Sequence, residues 1–79
     1  MQECKLYVGN LSYSLTQDEL RDAFASHGEL KEVILIEGKG FGFVEFNNED
    51  DAERAREALN GQDLKGRPMR IDKARPPKR

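Results

Sequence analysis

Apolar and polar positions alternate along the 79-residue chain in a way that predicts four strands and two helices. In the first stretch, Cys4, Leu6 and Val8 fall on one face and Lys5 and Tyr7 on the other, the period of a strand. Gly9 and Asn10 mark where that strand turns away, and Ser12 to Leu15 form a loop. Thr16-Gln17-Asp18-Glu19 then has the spacing of a capping box, with Leu15 and Leu20 placed as a hydrophobic staple. Leu20, Ala23 and Phe24 give the i, i+3, i+4 stripe of a core-facing helix over 16–27, which Gly28 is expected to stop. The second strand runs from Leu30 to Ile36, with Val33 and Leu35 on one face and Ile34 and Ile36 on the other.

Glu37-Gly38 turns the chain directly into the third strand, Lys39 to Phe46. Asn47 and Asn48 open a second helix over 48–60, and Glu49, Asp50 and Asp51 suit its first turn. Ala52, Ala55 and Leu59 form its core stripe with Ala58 beside it, and Asn60-Gly61 ends it. Asp63-Leu64-Lys65-Gly66 reads as a small hairpin turn. Arg67 to Asp72 is the last strand, with Pro68 at an edge start, Met69 and Ile71 inward, and Arg70 and Asp72 on the opposite face. Strand–helix–strand–strand–helix–strand gives one antiparallel sheet with both helices on one side, leaving the other side open to solvent. Residues 1–4 read as a short leader, 5–74 as the domain, and 75–79 as a basic, flexible C-terminal tail.

The third strand sets a problem of its own. Phe41, Phe43 and Glu45 share one face, and Gly42, Val44 and Phe46 the other. If Val44 and Phe46 are core, then Phe41 and Phe43 stand in water beside Lys39. Exposed rings next to a cation suit base stacking and a phosphate contact. Gly40 and Gly42, without side chains, are expected to leave the surface open for a flat ligand.

Composition narrows the function. Seventy-nine residues make one domain, and 37% hydrophobic content builds two layers but no deep cavity. Cys4 stands alone, so no internal disulfide and no cysteine-based metal cluster is expected, and a reducing compartment, nuclear or cytoplasmic, is the simplest reading. Cys4 itself reads as a small buried hydrophobe. No apolar run approaches the length of a membrane span, and no charged-then-apolar leader opens the chain. His27 has no ligand or base partner nearby in sequence and reads as structural. One His, one Cys and no framed pair of carboxylates give an enzyme nothing to work with. Net charge is −2, against a general polyanion binder. The sign is unevenly spread, however. The two helical segments hold eight acids against three bases, whereas 70–79 holds Arg70, Lys73, Arg75, Lys78 and Arg79 against Asp72 alone.

Lys39-Gly40-Phe41-Gly42-Phe43-Val44-Glu45-Phe46 resembles, at all eight positions, the RNP1 signature of the RNA recognition motif (RRM). Leu6-Tyr7-Val8-Gly9-Asn10-Leu11, about thirty residues earlier, resembles the second signature, RNP2. The resemblance spans Lys5 to about Ala74. It implies an α+β, ferredoxin-like β-α-β-β-α-β sandwich that binds single-stranded RNA, or single-stranded DNA, as a monomer, with no cofactor. Tyr7 and Phe43 resemble residues that each stack a base, Phe41 one that packs on the sugars between them, and Lys39 one that meets a phosphate. Lys5 adds charge, Asn10 shapes the adjoining turn, and Arg70, Lys73 and Arg75 reach a base or the backbone as the chain leaves the last strand. Ile34 and Ile36 fall on the ligand side by resemblance; that both faces of their strand are simply half-buried is an equal reading. Glu45 departs from this logic, because it shares the open face and repels phosphate unless Lys39, Lys5 or a base amine pairs with it. The very short turn between the second and third strands also departs from the long basic loop of many relatives, so modest affinity is expected. The alternative is a protein-interaction module whose acidic helical face meets a basic partner.

Overall fold

The computed structural model describes residues 4–36 and 38–73. The elements are β1 (Lys5–Gly9), α1 (Gln17–Ala25), β2 (Leu30–Ile36), β3 (Phe41–Phe46), α2 (Glu49–Leu59), β4 (Asp63–Leu64), β5 (Arg67–Pro68) and β6 (Arg70–Lys73). Four of them form one antiparallel sheet in the order β2-β3-β1-β6. Both helices lie on one side of it, so the ferredoxin-like sandwich expected from the strand–helix order is the fold observed.

Alternation decides which side is core. Leu6 and Val8 of β1, Val44 and Phe46 of β3, Val33 of β2 and Ile71 of β6 meet Leu20 and Phe24 of α1 and Ala52 and Ala55 of α2 in one buried cluster. The Phe24 and Phe46 rings lie 6.3 Å apart at its centre. Leu11 and Leu15, from the connection between β1 and α1, are also buried there. The small alanines let α2 lie close to the sheet. Ala58, expected beside that stripe, faces solvent instead, and Leu59 is half-buried against the core.

The caps form as the sequence predicts at both helix starts. The Thr16 hydroxyl accepts from the Glu19 backbone N–H at 3.2 Å, and the Glu19 carboxylate accepts from the Thr16 N–H at 3.0 Å. Asn48 accepts from the Asp51 N–H at 2.8 Å, and three acids complement the N-terminal end of α2. The end of α1 differs from expectation. The helix stops at Ala25 with Ser26 as its cap, so His27 lies beyond the last turn, and Gly28 does not end the helix. Gly28 serves a close approach: a Cβ there would sit 2.6 Å from the Asp51 side chain of α2.

The end of the chain also differs. The predicted strand from Arg67 to Asp72 breaks at Met69. Arg67 and Pro68 pair with Leu64 and Asp63 across a turn whose Lys65 and Gly66 both have positive φ, the geometry of a tight hairpin. Met69 spends its backbone on the segment after α2, accepting from the Gly61 N–H at 2.7 Å and donating to the Gln62 carbonyl at 2.9 Å. Its side chain is buried, and the chain then enters the sheet at Arg70.

Candidate nucleic-acid interface

Two strands at the middle of the sheet build the centre of the open face. In the register of β1 and β3, Tyr7 lies opposite Phe43, and Lys5 opposite Glu45. The Tyr7, Phe41 and Phe43 rings form a nearly equilateral triangle, with centroids 5.9, 5.9 and 6.2 Å apart. Phe41 and Phe43 meet at 90°, edge to face, the arrangement that aromatic quadrupoles favour. The sequence placed these two rings in water. They are half-buried, because each shields its neighbours, and Tyr7 is the most open of the three at 38%. Ile34 lies opposite Phe43, and Ile36 opposite Phe41, so β2 widens the apolar floor; both isoleucines are half-buried.

Glycines position these rings, though not as the sequence suggested. A Cβ on Gly9 would lie 2.8 Å from the Tyr7 hydroxyl and 2.9 Å from its ring. Tyr7 therefore leans along its own strand and lies down over Gly9, which the ring buries. Gly42 faces the core side and is buried, hard against the Ile34 carbonyl oxygen. Gly40 is covered by the Tyr13 ring, whose Cε1 would be 2.8 Å from an added Cβ. Gly40 and Gly42 thus fit the strand to its neighbours, and Gly9 is the residue that opens the surface.

The predicted charged residues divide. The Lys5 ammonium lies 5.7 Å from the centroid of Phe43, within cation–π reach, and Lys39 is exposed in the turn ahead of β3. Arg70 lies opposite Gly9 on the open face. Lys73 is on the other side: it shares the face of Ile71 and pairs with Glu53 of α2 at 3.5 Å. Strand parity thus turns Lys73, expected to reach a base or the backbone, away from the open face. Asn10 is committed internally. Its amide donates to the Pro68 carbonyl at 2.7 Å and accepts from Arg67 at 3.1 Å, fixing the turn after β1 to the β4–β5 hairpin from a left-handed backbone. Arg75 lies outside the described residues.

Glu45 does not pair with Lys39 or Lys5 among the described residues. A bulge in β2 brings Lys31 to 4.0 Å from it, at the margin of an ion pair. Glu32 lies directly opposite Glu45, so the far corner of this face is acidic. Two features escaped the sequence reading. Asp72 lies directly opposite Tyr7, on the side away from Phe43. A groove of about 690 Å³ runs along the outer edge of β6, between Tyr7 and Asp72 on the open face and Arg56 of α2 with Asn60, the residue that caps it. Alternation had already placed Asp72 outward, but only the β1–β6 register puts it beside the ring.

Comparison with known proteins agrees with this geometry. A family profile described as RNA recognition motif matches residues 6–70. A putative RNA-binding protein, RbpA, from a Nostoc strain is 44% identical over 77 residues, covering 90% of this chain and 76% of that protein. Human probable RNA-binding protein 23 is 41% identical over 73 residues, but the match covers only 17% of its length. The human splicing factor, proline- and glutamine-rich, is 41% identical over 70 residues and is covered to 10%. This chain thus spans a small part of the last two. Among solved structures, the second RRM domain of yeast poly(U)-binding protein superposes with a TM-score of 0.82 at 33% identity, covering 95% of this chain and 98% of that one. The C. elegans NONO-1 homodimer gives 0.84 at 39% identity, with 91% of this chain and 29% of that chain covered.

Proposed function

Because the chain belongs to the RNA recognition motif family, we propose that it binds single-stranded RNA on the open face of its sheet. The family and the relatives named RNA-binding proteins are non-enzymatic, so binding by this domain calls for no catalytic group. The carrying observation is the triangle of Tyr7, Phe41 and Phe43, three rings about 6 Å apart drawn from two strands. One base stacks on Tyr7 and the next on Phe43, while Phe41 packs on the sugars between them. Lys39 and Lys5 meet phosphates, and Arg70 contacts the strand at the β6 edge.

Magnitudes make this a modest binder. Stacking contributes about 1–3 kcal/mol per base, and two bases and a sugar contact must exceed the entropic cost of association. Affinity on the order of 1 µM, about −8 kcal/mol, is expected. Tight, selective binding then requires a second copy or a neighbouring domain to raise the effective concentration. The domain acts as a monomer, in the nucleus or the cytoplasm.

Titrating isotope-labelled protein with short single-stranded RNAs tests the reading. Amide signals of Tyr7, Phe41, Phe43 and their strand neighbours should shift. Phe41→Ala with Phe43→Ala should abolish the shifts while leaving the rest of the spectrum folded. Sheet amides that stay still at millimolar RNA in low salt would overturn it, and the acidic helices would become the working surface for a basic protein partner.

A further inference from the structure

Tyr13 has no part in the stacking scheme, and packing does not explain it. Its side chain is 69% exposed, more open than any ring of the platform, so burial of the ring stabilises the fold little. Among the described residues no aromatic pair joins it to Tyr7, Phe41 or Phe43. One edge of the ring is nonetheless placed. Its Cε1 would lie 2.8 Å, and its Cδ1 3.3 Å, from a Cβ on Gly40, and Gly40 is buried. The same connection between β1 and α1 holds Gly40 by its backbone. The Leu11 N–H donates to the Gly40 carbonyl at 2.9 Å, and the Leu11 carbonyl oxygen would lie 3.1 Å from that added Cβ.

The residue ahead of Gly40 is Lys39, the exposed cation of this turn. It stands between Gly38 and Gly40, both at φ +80°, and an added Cβ on Gly38 would meet nothing within 4 Å. A turn with a glycine on each side of its lysine has little stiffness of its own. Its internal bond runs from the Lys39 N–H to the Ile36 carbonyl at 3.2 Å. The Leu11 hydrogen bond and the Tyr13 ring fix its other side, where it enters β3. A lysine on a loose turn loses backbone and side-chain freedom when it meets a phosphate, whereas one on a braced turn loses less and binds better. We propose that Tyr13 is a positioning residue for phosphate binding: by lying on Gly40 it braces the turn that carries Lys39 and so strengthens the contact of the Lys39 ammonium with the RNA backbone. The inference rests on the RNA-binding reading and deepens it, giving the ring a part in phosphate contact rather than in stacking.

The test measures binding of a fluorescence-labelled single-stranded RNA hexamer of mixed sequence over a range of salt concentrations. Tyr13→Ala should bring the slope of log affinity against log salt nearer zero by about 0.7, as Lys39→Ala does, the loss of one phosphate contact. Tyr13→Ala combined with Lys39→Ala should match Lys39→Ala alone, since both remove the same contact. Tyr13→Phe keeps the ring and should match the parent. Tyr13 is exposed, so both of its variants should give folded amide spectra, with the Lys39 and Gly40 signals displaced in Tyr13→Ala. A parental slope and affinity in Tyr13→Ala would overturn the brace. So would a slope loss in the double variant beyond that of Lys39→Ala. An equal loss of affinity at every salt concentration would overturn it too, and would make the ring a stacking contact. If Lys39→Ala leaves the slope unchanged, the inference falls while RNA binding on the platform stands. If the parent binds no hexamer and the platform amides do not move, the RNA reading falls and takes this inference with it.

Discussion

Tyr7 lies down because Gly9 follows it at the next position on the same face. That single absence of a Cβ leaves room for the most exposed ring of the platform to lean along its own strand over Gly9. The backbone at Gly9 is not left-handed, and only the far end of a flexible side chain opposes an added methyl. Gly9→Ala should therefore leave stability within about 0.5 kcal/mol of the parent, the range of a substitution that creates no core defect. RNA affinity should fall roughly tenfold, because one stacked base loses its support. Gly42→Ala should do the reverse. There the added methyl meets the Ile34 carbonyl and lies 3.1 Å from the Leu35 Cα, both backbone atoms that cannot turn aside. A loss of about 1–3 kcal/mol, the usual cost of overpacking, is expected in thermal unfolding. Alternation showed which residues share a face but not which way a ring leans, so it assigned the open surface to Gly42 and Gly40. The three aromatic positions were legible because period two suffices for them. The role of Gly9 was not, because it depends on a side-chain torsion.

At the scale of elements, the helix starts were legible and the strand ends were not. A capping box is local chemistry, complete within four residues, and it formed as spaced. The break at Met69 depends on Gly61 and Gln62, whose N–H and carbonyl, respectively, claim the Met69 backbone from outside the sheet. The bulge in β2 similarly depends on β3, and it alone brings Lys31 to Glu45. The capping box has a further consequence. Glu19 is held below its ordinary value of 4.5, first by the Thr16 backbone N–H, with help from Lys65 of the hairpin turn at 3.3 Å. Glu53 is lowered likewise, chiefly by its hydrogen bond from Arg56. A carboxyl that is more acidic folded than unfolded stabilises the fold above the unfolded value. That contribution is lost as pH falls from 4.5 through the lowered value. Glu19→Gln should lower the urea midpoint at pH 7, where the ionised carboxyl contributes, and come closer to the parent at pH 3.5, so that its acid-side loss is flatter. Thr16→Ala should cost about 1 kcal/mol at both, because it removes the cap to Glu19 and leaves the ionised carboxyl its main donor, the backbone N–H.

Across the whole molecule, charge limits what the platform can do. The open face offers Lys5, Lys31, Lys39 and Arg70, but Glu32, Glu45 and Asp72 share it, and the helices behind carry most of the remaining acid. The protein's net field, at −2, does not draw a polyanion, so affinity must come from contact rather than from attraction at a distance. Salt dependence separates the two. Each phosphate neutralised on a single strand contributes about −0.7 to the slope of log affinity against log salt. With two or three contacts, a slope of roughly −1.5 to −2 is expected, far shallower than a basic binder's. Lys39→Ala should bring it nearer zero by about 0.7, whereas Phe43→Ala should weaken binding at every salt concentration and leave the slope alone. Removing residues 75–79 decides the part played by Arg75, Lys78 and Arg79. An unchanged slope confines the phosphate contacts to the folded face; a loss of about 0.7 for each basic residue would make the tail a working part of the interface. A slope near zero in the intact chain would remove phosphate contact altogether, and the aromatic triangle would then have to account for all of the binding.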